Sequence, residues 1–97
     1  MNLNEASQKA LEIAEKRGIH ERPHEALKHC AGEVTEALAA YLDYVYDQNK
    51  KEEFENELAD IVICVLSISA KENIDIENAI ARKMLINEGR IKNDSKK

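Results

Sequence analysis

Long apolar runs are the first thing this chain lacks. No stretch approaches the roughly 20 apolar residues of a membrane-spanning helix, and no basic segment followed by an apolar run marks a signal peptide at the N-terminus. A soluble, cytoplasmic protein with no membrane partner is therefore expected. Backbone breakers are also scarce, at three Gly and one Pro, and aromatic residues make up only 4%. Little remains of the Val, Ile, Tyr and Phe alternation that strands prefer, so the expected class is all-α. The two cysteines, Cys30 and Cys64, form no C-x-x-C pair, which suits neither a zinc site nor a disulfide framework. They read as reduced thiols used as small apolar residues. Positive charge is short as well: 14 Lys and Arg stand against 19 Asp and Glu, a net charge of -5. That is the wrong sign for neutralising a nucleic-acid backbone, so no nucleic-acid partner is expected.

The chain has 97 residues, the size of a single domain spanning 1–97. A lone core of that size buries a modest share of its surface, which favours completion by association into an oligomer. From Leu3 to Arg17 the apolar positions recur at spacings of three and four, as one helical face requires. Gly18 supplies a stop, and Pro23 suits the first turn of a second helix running to Tyr46. The apolar stripe of that helix is Leu27, Cys30, Ala31, Val34, Leu38, Tyr41, Leu42 and Val45. A polar run from Asp47 to Lys51 ends it. A third helix starts near Glu52 and continues through Ile61-Val62-Ile63-Cys64-Val65-Leu66 to about Lys71, apolar enough on all sides to be buried among others. Asp75 is placed to cap a fourth helix from Ile76 to about Arg90, and the polar tail 92–97 is expected to fray. The expected fold is a four-helix bundle-like domain with short loops between antiparallel neighbours.

Within that frame the acids are paired. Glu33 and Glu36 lie three apart on the second helix, and Glu57 and Asp60 three apart on the third. Residues at i and i+3 project from nearly the same side, with Cβ atoms roughly 5–6 Å apart. Glu33 and Glu36 share a strip with the small Ala37 and Ala40, and Asp60 directly precedes the apolar run. A carboxylate at the edge of a buried segment is costly unless paired, hydrogen-bonded or metal-bound. Two facing pairs concentrate negative charge that cations must offset. Ligation by carboxylate oxygens alone suits Mg²⁺, with Mn²⁺ as a substitute. On the fourth helix Ile80, Lys83, Asn87 and Arg90 fall on one stripe, whose cations and amide suit phosphate oxygens.

These residues resemble a known family, the MazG-like all-α nucleoside triphosphate pyrophosphohydrolases, in particular the small branch that includes dCTP pyrophosphatase. The resemblance is carried by Gly32-Glu33-Val34-Thr35-Glu36-Ala37-Leu38, Glu57-Leu58-Ala59-Asp60-Ile61-Val62, Asp75-Ile76-Glu77, and Lys83-Met84 with Asn87 and Arg90, and it covers roughly residues 24–90. It implies Mg²⁺-dependent cleavage between the α and β phosphates of a nucleoside triphosphate, with Glu33, Glu36, Glu57 and Asp60 as metal ligands. It also implies that Lys83, Asn87 and Arg90 bind the nucleotide, and that the enzyme is a homodimer or homotetramer. Many relatives carry a glutamate directly before the first metal ligand, where this chain has Gly32. The proton from the attacking water then falls to Glu33 or Glu36, or a metal-bound hydroxide attacks with no separate base.

Two rivals follow from the same residues. Di-iron bundles want a Glu-x-x-His on each of two helices, and the one such spacing here, Glu21-Arg22-Pro23-His24, contains a proline at a helix start. His20, His24 and His29 read as surface or capping residues away from the carboxylate faces. The non-enzymatic rival is an acidic helical module for dimerisation or protein binding whose carboxylates are merely solvated. Tyr41, Tyr44, Tyr46 and Phe54 read as core or interface residues rather than as platforms for a base.

Overall fold

The computed structural model describes residues 1–94, with side chains through residue 91. Its elements are α1 (Leu3–Lys16), α2 (Pro23–Tyr46), a 3-10 turn (Gln48–Lys50), α3 (Lys51–Lys71) and α4 (Ile76–Asp94), with no strand among the described residues. Local chemistry sets each boundary. Asn2 caps α1 by accepting from the Glu5 amide at 2.8 Å. Gly18, at φ 77°, ends it in a Schellman motif, in which the Ile19 amide reaches the Ala14 carbonyl. Pro23 opens α2 while Glu25 accepts from the Arg22 amide at 3.0 Å. Asn73, at φ 55°, closes α3 by the same left-handed geometry, its neighbour Ile74 donating to the Ser69 carbonyl. Asp75 accepts from the Asn78 amide and starts α4, which runs beyond the expected end near Arg90. Residues 92–94 are helical, and the rest of the polar tail expected to fray lies outside the described residues.

α3 packs against both α2 and α1. α2 and α3 are antiparallel: Cys30 meets Cys64, Glu33 and Glu36 meet Glu57, and Tyr41 and Tyr44 meet Phe54 with ring centroids 5.3 and 5.9 Å away. Those three rings clasp the loop end of the pair, which is the packing role expected of them.

The face of α2 turned inward is not the one its large residues suggested. The buried and half-buried positions are Ala26, Cys30, Glu33, Ala37, Ala40 and Tyr44, spaced four and three apart. Small side chains let α3 approach closely. Every large residue of the expected stripe lies outside: Leu27, Val34, Leu38, Tyr41, Leu42 and Val45 are exposed, Leu38 at 60% against 6% for Ala37. The apolar run of α3 is likewise only partly covered, with Leu66 buried and Val62, Ile63 and Val65 exposed.

α4 departs from the expected antiparallel neighbour. Its main contact is with α1, pinned at its N-terminal end by Asn4 to Asp75 at 2.9 Å and by hydrogen bonds between Leu3, Asn4 and Glu77. The radius of gyration is 16.3 Å, against about 12.5 Å for a compact chain of this length. Among the described residues no helix is long and apolar enough to cross a membrane.

Candidate carboxylate site

The antiparallel seam of α2 and α3 brings Glu33, Glu36 and Glu57 together, with one carboxylate oxygen from each within 4.8 Å of the others. Glu33 sits on the packed seam, and Glu36 lies one step round the helix toward solvent. Asp60 is one turn along from Glu57, exposed and outside that close group, yet its charge is felt at Glu57. Glu33 Oε2 and Glu57 Oε2 are buried without any hydrogen-bond partner. Such oxygens are costly to bury unless a proton or a cation meets them. Burial foremost, then the charges of Glu36, Asp60 and Glu33, push the Glu57 carboxyl above the usual glutamate range.

His29, expected away from the acids, is part of the site. One turn before Glu33 on α2, its Nε2 lies 3.0 Å from Glu33 Oε1 and its Nδ1 3.3 Å from Glu21 Oε1. The Glu21 hydrogen bond leads in pushing the imidazole pKa up, burial opposes it, and the Glu21 charge and the Glu33 contact add to the rise. The i,i+4 spacing of His29 and Glu33 was the available sequence signal. Glu21, eight residues earlier and within the α1–α2 connection, gave none.

Beside the carboxylates opens a cavity of about 420 Å³, walled by α1 (Ala10, Ile13, Ala14), the connection (Ile19, His20, Glu21), α2 (Ala26, His29, Glu33) and α3 (Asp60, Cys64, Ser67, Lys71). Glu33 belongs to both the carboxylate group and the cavity wall. Lys71 holds the connection in place by donating to the Glu21 carbonyl. Cys64 and Cys30 adjoin each other as free thiols, and burial with the Cys30 contact pushes the Cys64 thiol up to about 12. Cys64 is therefore a poor nucleophile, and Cys30 is buried as a small residue of the α2–α3 seam.

Lys83, Asn87 and Arg90 are exposed on α4 and line no part of this cavity. Arg90 donates to Asn87 at 3.4 Å, a contact within its own helix. Within one chain the α4 stripe is not brought to the acids, because α4 leans on α1 instead of folding back along α3.

The donor set could hold a hard divalent cation: three clustered carboxylates, all oxygen, two of them with unpartnered buried atoms. Fold and site thus define an all-α, bundle-like domain with a carboxylate cluster at its α2–α3 seam. No protein-family model, curated protein or solved structure matches the chain.

Proposed function

We propose that this chain is a metal-dependent phosphoanhydride hydrolase and, more narrowly, a nucleoside triphosphate pyrophosphohydrolase of the MazG-like kind. The reaction is attack of water on the α-phosphorus, converting a nucleoside triphosphate to its monophosphate and pyrophosphate. The observation that carries the reading is the convergence of Glu33, Glu36 and Glu57, with two buried carboxylate oxygens lacking partners, at the wall of a cavity within the usual 300–1,000 Å³ of small-ligand pockets.

Glu33, Glu36 and Glu57 would hold Mg²⁺, with Asp60 at the edge of the group. The cation, when bound, neutralises phosphate charge and acidifies a water. Glu36, the most open of the three, is suited to take a proton from water, with Glu33 as the other choice. His29, held by Glu21, fixes the position of Glu33 through its Nε2 contact. The cavity takes the nucleoside against the apolar part of its wall, Ala10, Ile13, Ala14, Ile19 and Ala26. Lys83, Asn87 and Arg90 are assigned to the phosphates by resemblance alone.

The test is pyrophosphate release from a panel of canonical and modified nucleoside triphosphates with Mg²⁺ or Mn²⁺. Turnover of at least one substrate is expected, with loss on Glu36→Gln, Glu57→Gln and Asp60→Asn. Silence across the whole panel by folded protein would overturn the reading and leave the non-catalytic association module, which the uncovered apolar residues of α2 favour.

A further inference from the structure

α1 and α2 each pack on α3, and the cavity is the trough between them. Its floor is one stripe of α3: Asp60, Ile63, Cys64, Ser67, Ile68 and Lys71 recur at spacings of three and one, as a single helical face requires. From Asp60 to Lys71 that stripe runs roughly 16 Å at about 1.5 Å per residue, so the trough leads from the carboxylate group to the C-terminal end of α3. Helices form the floor and both sides. The remaining wall is the connection between α1 and α2, residues 17–22, in which Ile19 and Glu21 are half-buried while His20 and Arg22 are exposed. One residue ties this connection to the helices beyond it. The Glu21 carbonyl accepts from Lys71 Nζ on α3, and Glu21 Oε1 lies 3.3 Å from His29 Nδ1 on α2. Glu21 therefore spans the trough from floor to side, and its charge is felt at Cys64 below it.

We propose that residues 17–22 form a strap that opens and closes over the trough, latched at Glu21 by Lys71 and His29, and that small molecules reach the inner cavity when the latch releases. Both latch contacts are polar and solvent-exposed, so water replaces them at small net cost. The helical walls are held instead by burial of Ala10, Cys30, Ala37, Leu66 and Ala70. The wall that yields first is thus the connection, since segments with few buried apolar contacts open at the lowest free energy. Gly18, at φ 77°, stands at the α1 end of the strap, where a residue without a side chain leaves the backbone free to turn. The latch also links access to the carboxylates. His29 Nε2 lies 3.0 Å from Glu33 Oε1, so a closed strap holds the imidazole that positions Glu33. The inference requires neither metal nor nucleotide; where the cavity takes a nucleoside, the strap governs its entry.

Cys64 reports the opening because it lies on the floor of the trough, whereas Cys30 is buried in the α2–α3 seam. The test labels the full chain with N-ethylmaleimide, a neutral reagent, and reads the two thiols separately by peptide mass spectrometry. In Lys71→Met the Cys64 rate should rise about fivefold, the change that one net hydrogen bond sets on an opening equilibrium, with Cys30 unchanged. Lys71→Arg keeps a donor and should label like the wild type. Loss of the Lys71 charge alone would disfavour the thiolate and slow labelling, so a rise reads access. Amide hydrogen exchange is the second measure: residues 18–22 should lose protection in Lys71→Met while the helices around Cys30 and Cys64 keep theirs. An unchanged Cys64 rate or unchanged exchange in 18–22 overturns the proposal. So does a parallel rise at Cys30, which signals loosening of the whole seam. If circular dichroism shows Lys71→Met unfolded, wild-type exchange decides, since the strap must open faster than the helices that line the trough.

Discussion

At the scale of single residues, the site couples charge to stability in one direction. The Glu57 carboxyl sits above its ordinary value of 4.5 in the fold, so folding favours its protonated form. That contribution is fully present below the ordinary value and is lost as pH rises through the raised one. His29 sits above 6.5, so its share is present below that value and is also lost as pH rises through the raised one. The stability that these two groups supply to the metal-free protein should therefore fall as pH rises above 4.5 for Glu57 and above 6.5 for His29. Glu25 and Asp75, whose carboxyls are held below their ordinary values, contribute with the opposite sign. Thermal melts from weakly acidic to weakly alkaline pH check it: Glu57→Gln is expected to flatten the lower part of the slope and His29→Gln the upper part. Gly32 supplies a separate prediction. A Cβ there meets nothing within 4 Å, so Gly32→Ala should stabilise α2 by about 1 kcal/mol in chemical denaturation, since glycine weakens a helix interior by roughly that amount.

Helix ends belong to the element scale, and here the two left-handed closures can be compared. Gly18 adopts φ 77° without a side chain to strain, whereas Asn73 holds φ 55° with one. Gly18→Ala should cost about 1 kcal/mol, the penalty for an L-residue in that region, and Asn73→Gly should be neutral to stabilising. Equilibrium urea unfolding of the two variants measures both. Pro23, Asp75 and Gly18 were readable as boundary residues because capping depends on a few neighbours along the chain. The extension of α4 past Arg90 was not, since the polar residues that follow carry no breaker.

For the whole molecule, metal and nucleotide should act by mass action. Saturating Mg²⁺ with a nonhydrolysable nucleoside triphosphate is expected to raise the melting temperature of the wild-type chain and not of Glu36→Gln or Glu57→Gln. Mg²⁺ should also erase the lower part of the pH slope, because a cation meeting Glu33 Oε2 and Glu57 Oε2 removes the penalty on ionised Glu57. An unchanged melting temperature with every ligand tried would count against the cluster as a cation site.

Sequence by itself determined the helices, their caps and the pairing of acids three residues apart, since each depends on interactions within a turn or two. Tertiary structure alone decided which face of α2 turns inward. Apolar size pointed to Leu27, Val34, Leu38 and Val45, but close packing against α3 selected the small neighbours Ala26, Cys30, Ala37 and Ala40, because helix approach is limited by side-chain bulk. It also drew Glu33 onto the packed seam, set Asp60 at the margin, and brought Glu21 of the α1–α2 connection to His29. α4 went to α1 rather than α3, separating Lys83, Asn87 and Arg90 from the acids. Periodicity names the stripes of a helix; which stripe meets a neighbour is settled by the shape and charge of what stands opposite.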